Sequence, residues 1–145
     1  MKVKQLSVFV ENQPGRLAAL AKTLGDAGIN IMAMTIAETR EFGVARMIVP
    51  DWDQGIKVLK AANFTVTTTE VLAIEVGNTP GALAKVLESF VQKNLNIEYM
   101  YAFVARREDA AILVFRFEDN DKAVAALKGT NVRVLSVEEV INLEK

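Results

Sequence analysis

The 145-residue chain has no cysteine and no histidine. Those two absences exclude disulfides, thiolate nucleophiles and the common zinc sites from this chain alone. They also remove the usual proton shuttle at neutral pH. An excess of one charge is missing too: 17 Lys and Arg stand against 18 Asp and Glu, interspersed without a basic block, giving a formal charge of −1 and a pI near 5.6. Such a surface offers phosphate backbones little to grip, so nucleic acid is not expected as a partner. No run of about 18 apolar residues occurs and no charged-then-apolar leader. No membrane partner is therefore expected, and the cytoplasm is the expected location. Proline is scarce at three residues, which makes it informative that two of them stand in the same local context.

That context is Asn12-Gln13-Pro14-Gly15-Arg16-Leu17, repeated as Asn78-Thr79-Pro80-Gly81-Ala82-Leu83. Each copy sits between an alternating apolar run and an amphipathic one. Proline suits the handover from strand to helix, because its fixed φ fits a first turn and its missing N–H is no loss there. The free N–H groups of such a turn, with the positive end of the helix dipole, make a small anion site. One copy is an ordinary helix start, whereas two suggest a site built twice.

At 51% hydrophobic residues, the chain is long enough for one ordinary domain or two small ones packed together. Lys2 to Val10 alternates as a strand, and Leu17, Leu20, Ala21 and Leu24 recur at helical spacing until Gly25 and Gly28. A strand from Gly28 to about Thr39 follows, then a hairpin at Arg40 to Gly43 and a strand from Val44 to Val49. Asp51 or Asp53 caps a helix carrying Ile56, Leu59 and Ala62, and Phe64 to about Thr68 returns as a strand. The order is βαββαβ.

From Glu70 the pattern restarts. Leu6, Val10, Asn12, Pro14, Gly15, Leu17, Asn30, Ile31 and Met34 match Leu72, Val76, Asn78, Pro80, Gly81, Leu83, Asn96, Ile97 and Met100 at one constant spacing. Leu59 and Asn63 match Leu127 and Asn131 at a spacing two residues longer, which places a two-residue insertion near the second copy's later helix. The second copy reads as strand 71–77, helix 80–93, strand 95–104, a solvated hairpin tip at Arg106 and Arg107, strand 110–117, helix 120–128 and strand 131–136. The tail from Val137 to Leu143 fits strand or helix. The fold class is therefore α+β, with repeats at 1–69 and 70–145. Each is a split βαβ unit of the ferredoxin-like kind, with two helices on one face of a four-stranded antiparallel sheet. In the second strand of each copy both alternating sets are largely apolar: Ile29, Ile31 and Ala33 against Met32, Met34 and Ile36, then Tyr99, Tyr101 and Phe103 against Met100, Ala102 and Val104. A sheet with one wet face would show polar residues there, so the uncovered face or edge is expected to be buried against the other copy, another chain or both. The Thr67 to Glu70 junction is too short for a flexible tether and favours rigidly packed halves.

The run Val10-Glu11-Asn12-Gln13-Pro14-Gly15-Arg16-Leu17 with Gly28-Ile29-Asn30-Ile31 resembles the signature of the ACT domain, a small regulatory module of amino-acid metabolism, and Gly77 to Leu83 with Leu95-Asn96-Ile97 resembles it again. The resemblance covers nearly the whole chain. It implies a ferredoxin-like fold, edge-to-edge pairing of modules and a free amino acid bound at a module interface, and a homodimer is expected. It further implies that Asn12, Gly15 and Asn30, and Asn78, Gly81 and Asn96, hold that ligand, with no catalytic residues, metal or cofactor. The chemistry fits a zwitterion: N–H groups from Gly15 or Gly81 onward meet the carboxylate, and an Asn oxygen with strand carbonyls accepts from the ammonium.

Plainer readings stand beside this one. Asn12 and Asn78 could cap the helix, and Gly15 and Gly81 could serve tight packing. Asn30 and Asn96 are harder to explain structurally, because Asn is depleted in strands. The changes Glu11 to Gly77 and Gly28 to Asn94 between copies put equivalence of the two sites in question. The apolar surroundings favour an aliphatic or aromatic ligand side chain. Asp51, Asp53, Glu138 and Glu139 fall where capping and solvation explain them, so an enzyme is not expected. A second role is docking on an amino-acid biosynthetic enzyme, since the first copy resembles acetolactate synthase regulatory subunits.

Overall fold

The computed structural model describes residues 2–38, 40–104 and 109–143. Two compact units divide the chain, one spanning Lys4–Thr69 and one running from Glu70 onward together with Lys2 and Val3. The first contains β1 (Val3–Glu11), α1 (Arg16–Asp26), β2 (Ala33–Glu38), β3 (Phe42–Ile48), α2 (Trp52–Ala61) and the start of β4 (Thr65–Gly77). The remainder of β4 opens the second unit, followed by α3 (Ala82–Gln92), β5 (Ile97–Ala102), β6 (Ala110–Phe117), α4 (Asn120–Leu127), β7 (Arg133–Val134) and α5 (Val137–Asn142). The Thr67 to Glu70 junction lies inside the strand β4.

In the first unit β3 lies between β1 and β2 and is antiparallel to both, pairing Leu6 with Met47 and Met34 with Met47. In the second, β6 lies between β4 and β5 in the same way, pairing Leu72 with Phe115 and Met100 with Phe115. Alternation along each strand then decides what is buried. Leu6, Val8 and Val10 face Leu20, Leu24 and Leu59 of the helices in one core, and Leu72, Ile74 and Val76 face Phe90, Ala123 and Leu127 in the other. The helices α2 and α4 start alike. The Asp51 carboxylate accepts from the Gln54 N–H at 3.1 Å, and that of Asp119 from the Lys122 N–H at 3.0 Å, which satisfies one orphan donor in each.

The face away from the helices differs in exposure from end to end. Around Gln5, Ala33 and Ile48 it is buried, and at the other end Phe9 and Phe42 are 45% and 41% exposed with ring centroids 4.8 Å apart. In the second unit Ala73, Tyr101, Phe103, Ile112 and Val114 of that face are buried. The tail is helical, because Ser136 accepts from the Glu139 N–H at 3.1 Å and so caps α5. Arg133 holds it, donating to Glu139 at 2.6 Å and to Glu75 of β4 at 2.7 Å. The bond to Glu75 raises the Arg133 guanidinium pKa above its ordinary value. Lys2 is raised as well, first by its hydrogen bond to Asp121.

Several sequence expectations move. The second strand begins at Ala33 rather than Gly28, and the third begins at Phe42 rather than Val44. The two-residue insertion does not lie near the helix: Met34 matches Met100 at the short spacing, while Met47 and its equivalent Phe115 already stand at the long one. The extra residues therefore fall in the connection from β5 to β6. The tip residues Arg106 and Arg107 lie outside the described residues. The helix α4 has 8 residues where α2 has 10.

Phe90 is 1% exposed and meets Phe115 and Phe117 edge-on, at centroid distances of 5.3 and 5.0 Å. Phe90→Ala should destabilise the second unit by about 3–5 kcal/mol. Equilibrium urea unfolding followed by circular dichroism checks this, and a loss near zero would mean that the aromatic cluster does not hold the helix to the sheet.

Candidate functional site

Three backbone bonds recur at matching positions in the two Asn-x-Pro-Gly turns. The Asn12 N–H donates to the Glu41 carbonyl at 3.0 Å, the Arg16 N–H to Gln13 at 3.3 Å and the Ala19 N–H to Gly15 at 2.9 Å. In the second unit the Asn78 N–H donates to Asp109 at 3.1 Å, the Ala82 N–H to Thr79 at 3.2 Å and the Lys85 N–H to Gly81 at 3.1 Å. Gly15 sits at φ 88°, ψ −15° and Gly81 at φ 85°, ψ −10°. That left-handed conformation costs a side chain-bearing residue about 1–2 kcal/mol, which is why glycine stands there. Neither helix has a side-chain cap. Among the described residues, the N–H groups of Gly15, Leu17 and Ala18, and of Gly81, Leu83 and Ala84, have no backbone acceptor. These donors at the positive end of a helix can meet a carboxylate.

The capping role considered for Asn12 and Asn78 is not the one the structure shows, because the cap position belongs to the glycines. The Asn12 Nδ2 instead donates to the Arg40 carbonyl at 3.3 Å, which leaves its Oδ1 as an acceptor on an exposed side chain. Arg16 does not join the turn's chemistry: its guanidinium lies 5.0 Å over the Phe64 ring, and its buried Nε has no hydrogen-bond partner among the described residues.

Asn12 and Gly15 are thus brought together in one unit, and Asn78 and Gly81 in the other. Asn30 and Asn96 are not beside them. Because β1 and β2 are both antiparallel to β3, the end of β1 lies beside the end of β2, whereas Asn30 precedes the start of β2. The six residues of β2 separate the two ends, roughly 20 Å at ~3.3 Å per residue. Asn96 likewise precedes β5; its carbonyl accepts from the Glu118 N–H at 3.0 Å, and its Nδ2 lies 3.4 Å from the Glu118 carboxylate. Both Asn side chains are exposed and lie outside strands, so the argument that Asn is unusual in a strand does not apply to them. The change from Gly28 to Asn94 is no real difference either, since both adopt positive φ, 73° and 54°.

Beside the first turn lies a pocket of about 160 Å³, lined by Val10, Glu11, Asn12, Gln13, Leu17, Ile36, Glu38 and Gly43. Sequence reasoning missed Ile36, Glu38 and Gly43, whose place depends on strand register. Gly43 pairs with Val10 on one side and Glu38 on the other. A Cβ on Gly43 would come within 3.4 Å of the Ile36 side chain, so the glycine makes room for that isoleucine beside the pocket. Among the described residues no group of three acidic side chains is placed to hold a metal ion, and no helix is long and apolar enough to cross a membrane.

Residues 1–143 match the family model described as an ACT domain pair. Among solved structures, the chain is similar to protein BT0572 from Bacteroides thetaiotaomicron, with 40% identity and a TM-score of 0.90, covering 97% of this chain and 96% of that one. It is also similar in fold to the regulatory subunit of aspartate kinase from Thermus thermophilus, at 19% identity, TM-score 0.61 and coverage of 86% and 87%. The corresponding subunit from Thermus flavus gives 16% identity, TM-score 0.60 and coverage of 98% and 92%. No functionally curated protein matches the chain.

An added Cβ at Gly15 or Gly81 would meet no atom within 4 Å, so only backbone strain opposes it. Gly15→Ala and Gly81→Ala should each destabilise the fold by about 1–2 kcal/mol, and Asn at either position should cost less. Chemical denaturation of the four variants checks this. Equal costs for Ala and Asn would contradict the left-handed geometry.

Proposed function

Since the chain belongs to the ACT domain pair family, we propose that it is a non-catalytic sensor that binds a free amino acid and acts as a homodimer in the cytoplasm. The observation that carries this reading is the pair of equivalent turns, each with three unpaired N–H donors beside an exposed Asn. The donors take the α-carboxylate, and the Asn12 or Asn78 oxygen takes the ammonium. Hydrogen bonds to charged groups contribute about 1.5–3 kcal/mol each, so two or three of them offset the cost of ordering a small ligand. Asn30 and Asn96 stand at the far ends of their own sheets, so they complete a grip only on a ligand held by another module. A second copy of the chain is proposed as the source of that module.

A second reading, docking on an amino-acid biosynthetic enzyme, draws support from the exposed Phe9 and Phe42 pair. Paired exposed aromatics of this kind suit a protein contact. The two readings are compatible: a bound amino acid that favours one arrangement of modules would change what the partner meets.

A thermal-shift screen against the twenty amino acids, repeated with Asn12→Ala and Asn78→Ala, separates them. A ligand at about 100 times its Kd adds roughly 2.7 kcal/mol of apparent stability, or about 5–10 °C for a chain of this size. A selective rise that one Asn variant abolishes identifies the working turn. No rise with any amino acid, from a folded protein, overturns the sensor and leaves the docking role.

A further inference from the structure

The face of the first unit's sheet that lies away from the helices is buried at one end and bare at the other. Gln5, Ala33 and Ile48 are buried, whereas Phe9 and Phe42 are exposed at the end where β1 runs into the Asn12 turn. Phe9 stands opposite Val44 and Val44 opposite Ala37, while Phe42 stands opposite Glu11, so alternation puts all five side chains on this face. Ala37 is exposed as well. Arg46, two residues beyond Val44 in β3, follows on the same face. The apolar patch therefore has a carboxylate at its turn end and a guanidinium toward its buried end. The second unit carries no such patch. Its matching positions are Glu75 for Phe9 and Ala110 for Phe42, and Arg133 donates to that Glu75 at 2.7 Å.

We propose that this patch is the contact between two copies of the chain, stacked face to face with their strands antiparallel. The inference rests on the homodimer of the reading above and names its face. A two-fold axis across the row of Phe9 and Val44 lays Phe9 against its counterpart and leaves the buried ends outside the contact. Strands running the same way would set buried end against buried end. The antiparallel arrangement also brings the Glu11 and Phe42 end of each copy over Arg46 of the other, where one guanidinium can meet a carboxylate and an aromatic face together. Both halves of the contact are then alike, as a two-fold interface requires. A partner charged with one sign would match only one end of the patch. The same arrangement turns the Asn30 end of each copy toward the Asn12 turn of the other, the direction needed by a ligand shared between modules. Three strands about 4.8 Å apart, over some five residues at about 3.3 Å each, give a contact well below the ~1,200 Å² of a stable complex. The dimer is accordingly weak and depends on concentration.

Sedimentation velocity of the full chain over a range of concentrations tests this, with circular dichroism to show that each variant is folded. The unmodified chain should pass from monomer to dimer as concentration rises. Phe9→Glu combined with Phe42→Ala, which installs the second unit's residues, should raise the dimer Kd at least about tenfold. Glu11→Arg should weaken the dimer, and adding Arg46→Glu should recover much of the loss, both effects being larger at low salt. A dimer unchanged in the folded Phe9 and Phe42 variant would overturn this face while leaving the homodimer. Loss of the dimer on that substitution, with no response to charge reversal, would overturn the antiparallel placement. A chain monomeric at every concentration would overturn the proposal and return the aromatic pair to the docking reading, and a thermal rise with an amino acid from that monomer would leave the sensor standing.

Discussion

The constraint on which the rest depends is the need to turn from a strand into a helix within a few residues and still leave the first N–H groups pointing outward. A side-chain cap would satisfy one of those donors, as Asp51 and Asp119 do at α2 and α4. Glycine at positive φ makes the reversal with the backbone alone and contributes no side-chain acceptor of its own. The first two helices of each unit thus start in two ways, one closed by a carboxylate and one left open. The open ones are at α1 and α3, beside the strand ends whose register brings the pocket residues together.

The two units share that backbone. The turn glycines agree within 5° in φ and ψ, and three bonds recur at matching positions in both turns. Change is concentrated where the backbone tolerates it: two more residues between β5 and β6, a shorter helix α4, and different side chains along the pocket rim. Gly43 beside Ile36 in one unit becomes Ala111 with Ala102 in the other. The Glu11 and Glu38 positions are freer, because they lie at strand ends in solvent and no packing dictates them.

Much of the fold was legible in the sequence because its signals are local. Alternation marks β1 and β3, Leu20 and Leu24 mark α1, and the constant spacing of Leu6 with Leu72 through Met34 with Met100 reveals the repeat. Both turns were legible for the same reason, since Pro-Gly reports its own backbone. What escaped depends on pairing between strands. The insertion was misplaced because matched residues in the later helix carry the spacing without saying where it arose, and only the register of Met47 and Phe115 locates it. Glu38 and Gly43 escaped likewise, since they reach the turn only across β3. Apolar side chains follow Asn30 and Asn96 and give them the look of strand residues, yet the ladder starts three residues beyond Asn30.

The separation of the Asn30 and Asn96 loops from the turns has a mechanical consequence. A ligand held wholly within one module would bind equally well however that module were placed beside others, and equal affinity for two arrangements shifts neither. A ligand gripped by a turn at one end and by a loop from another module at the other is bound only when the two are correctly apposed. Its binding free energy then acts on the arrangement of the modules, with a coupling limited to the bonds that break when they part. At about 1.5–3 kcal/mol for each charge-assisted bond, a single such bond supplies a shift of about ten- to 150-fold in the balance of arrangements. Under the proposed function, the ends that the sheet holds apart in a single module are what would let a small zwitterion report its presence through an assembly.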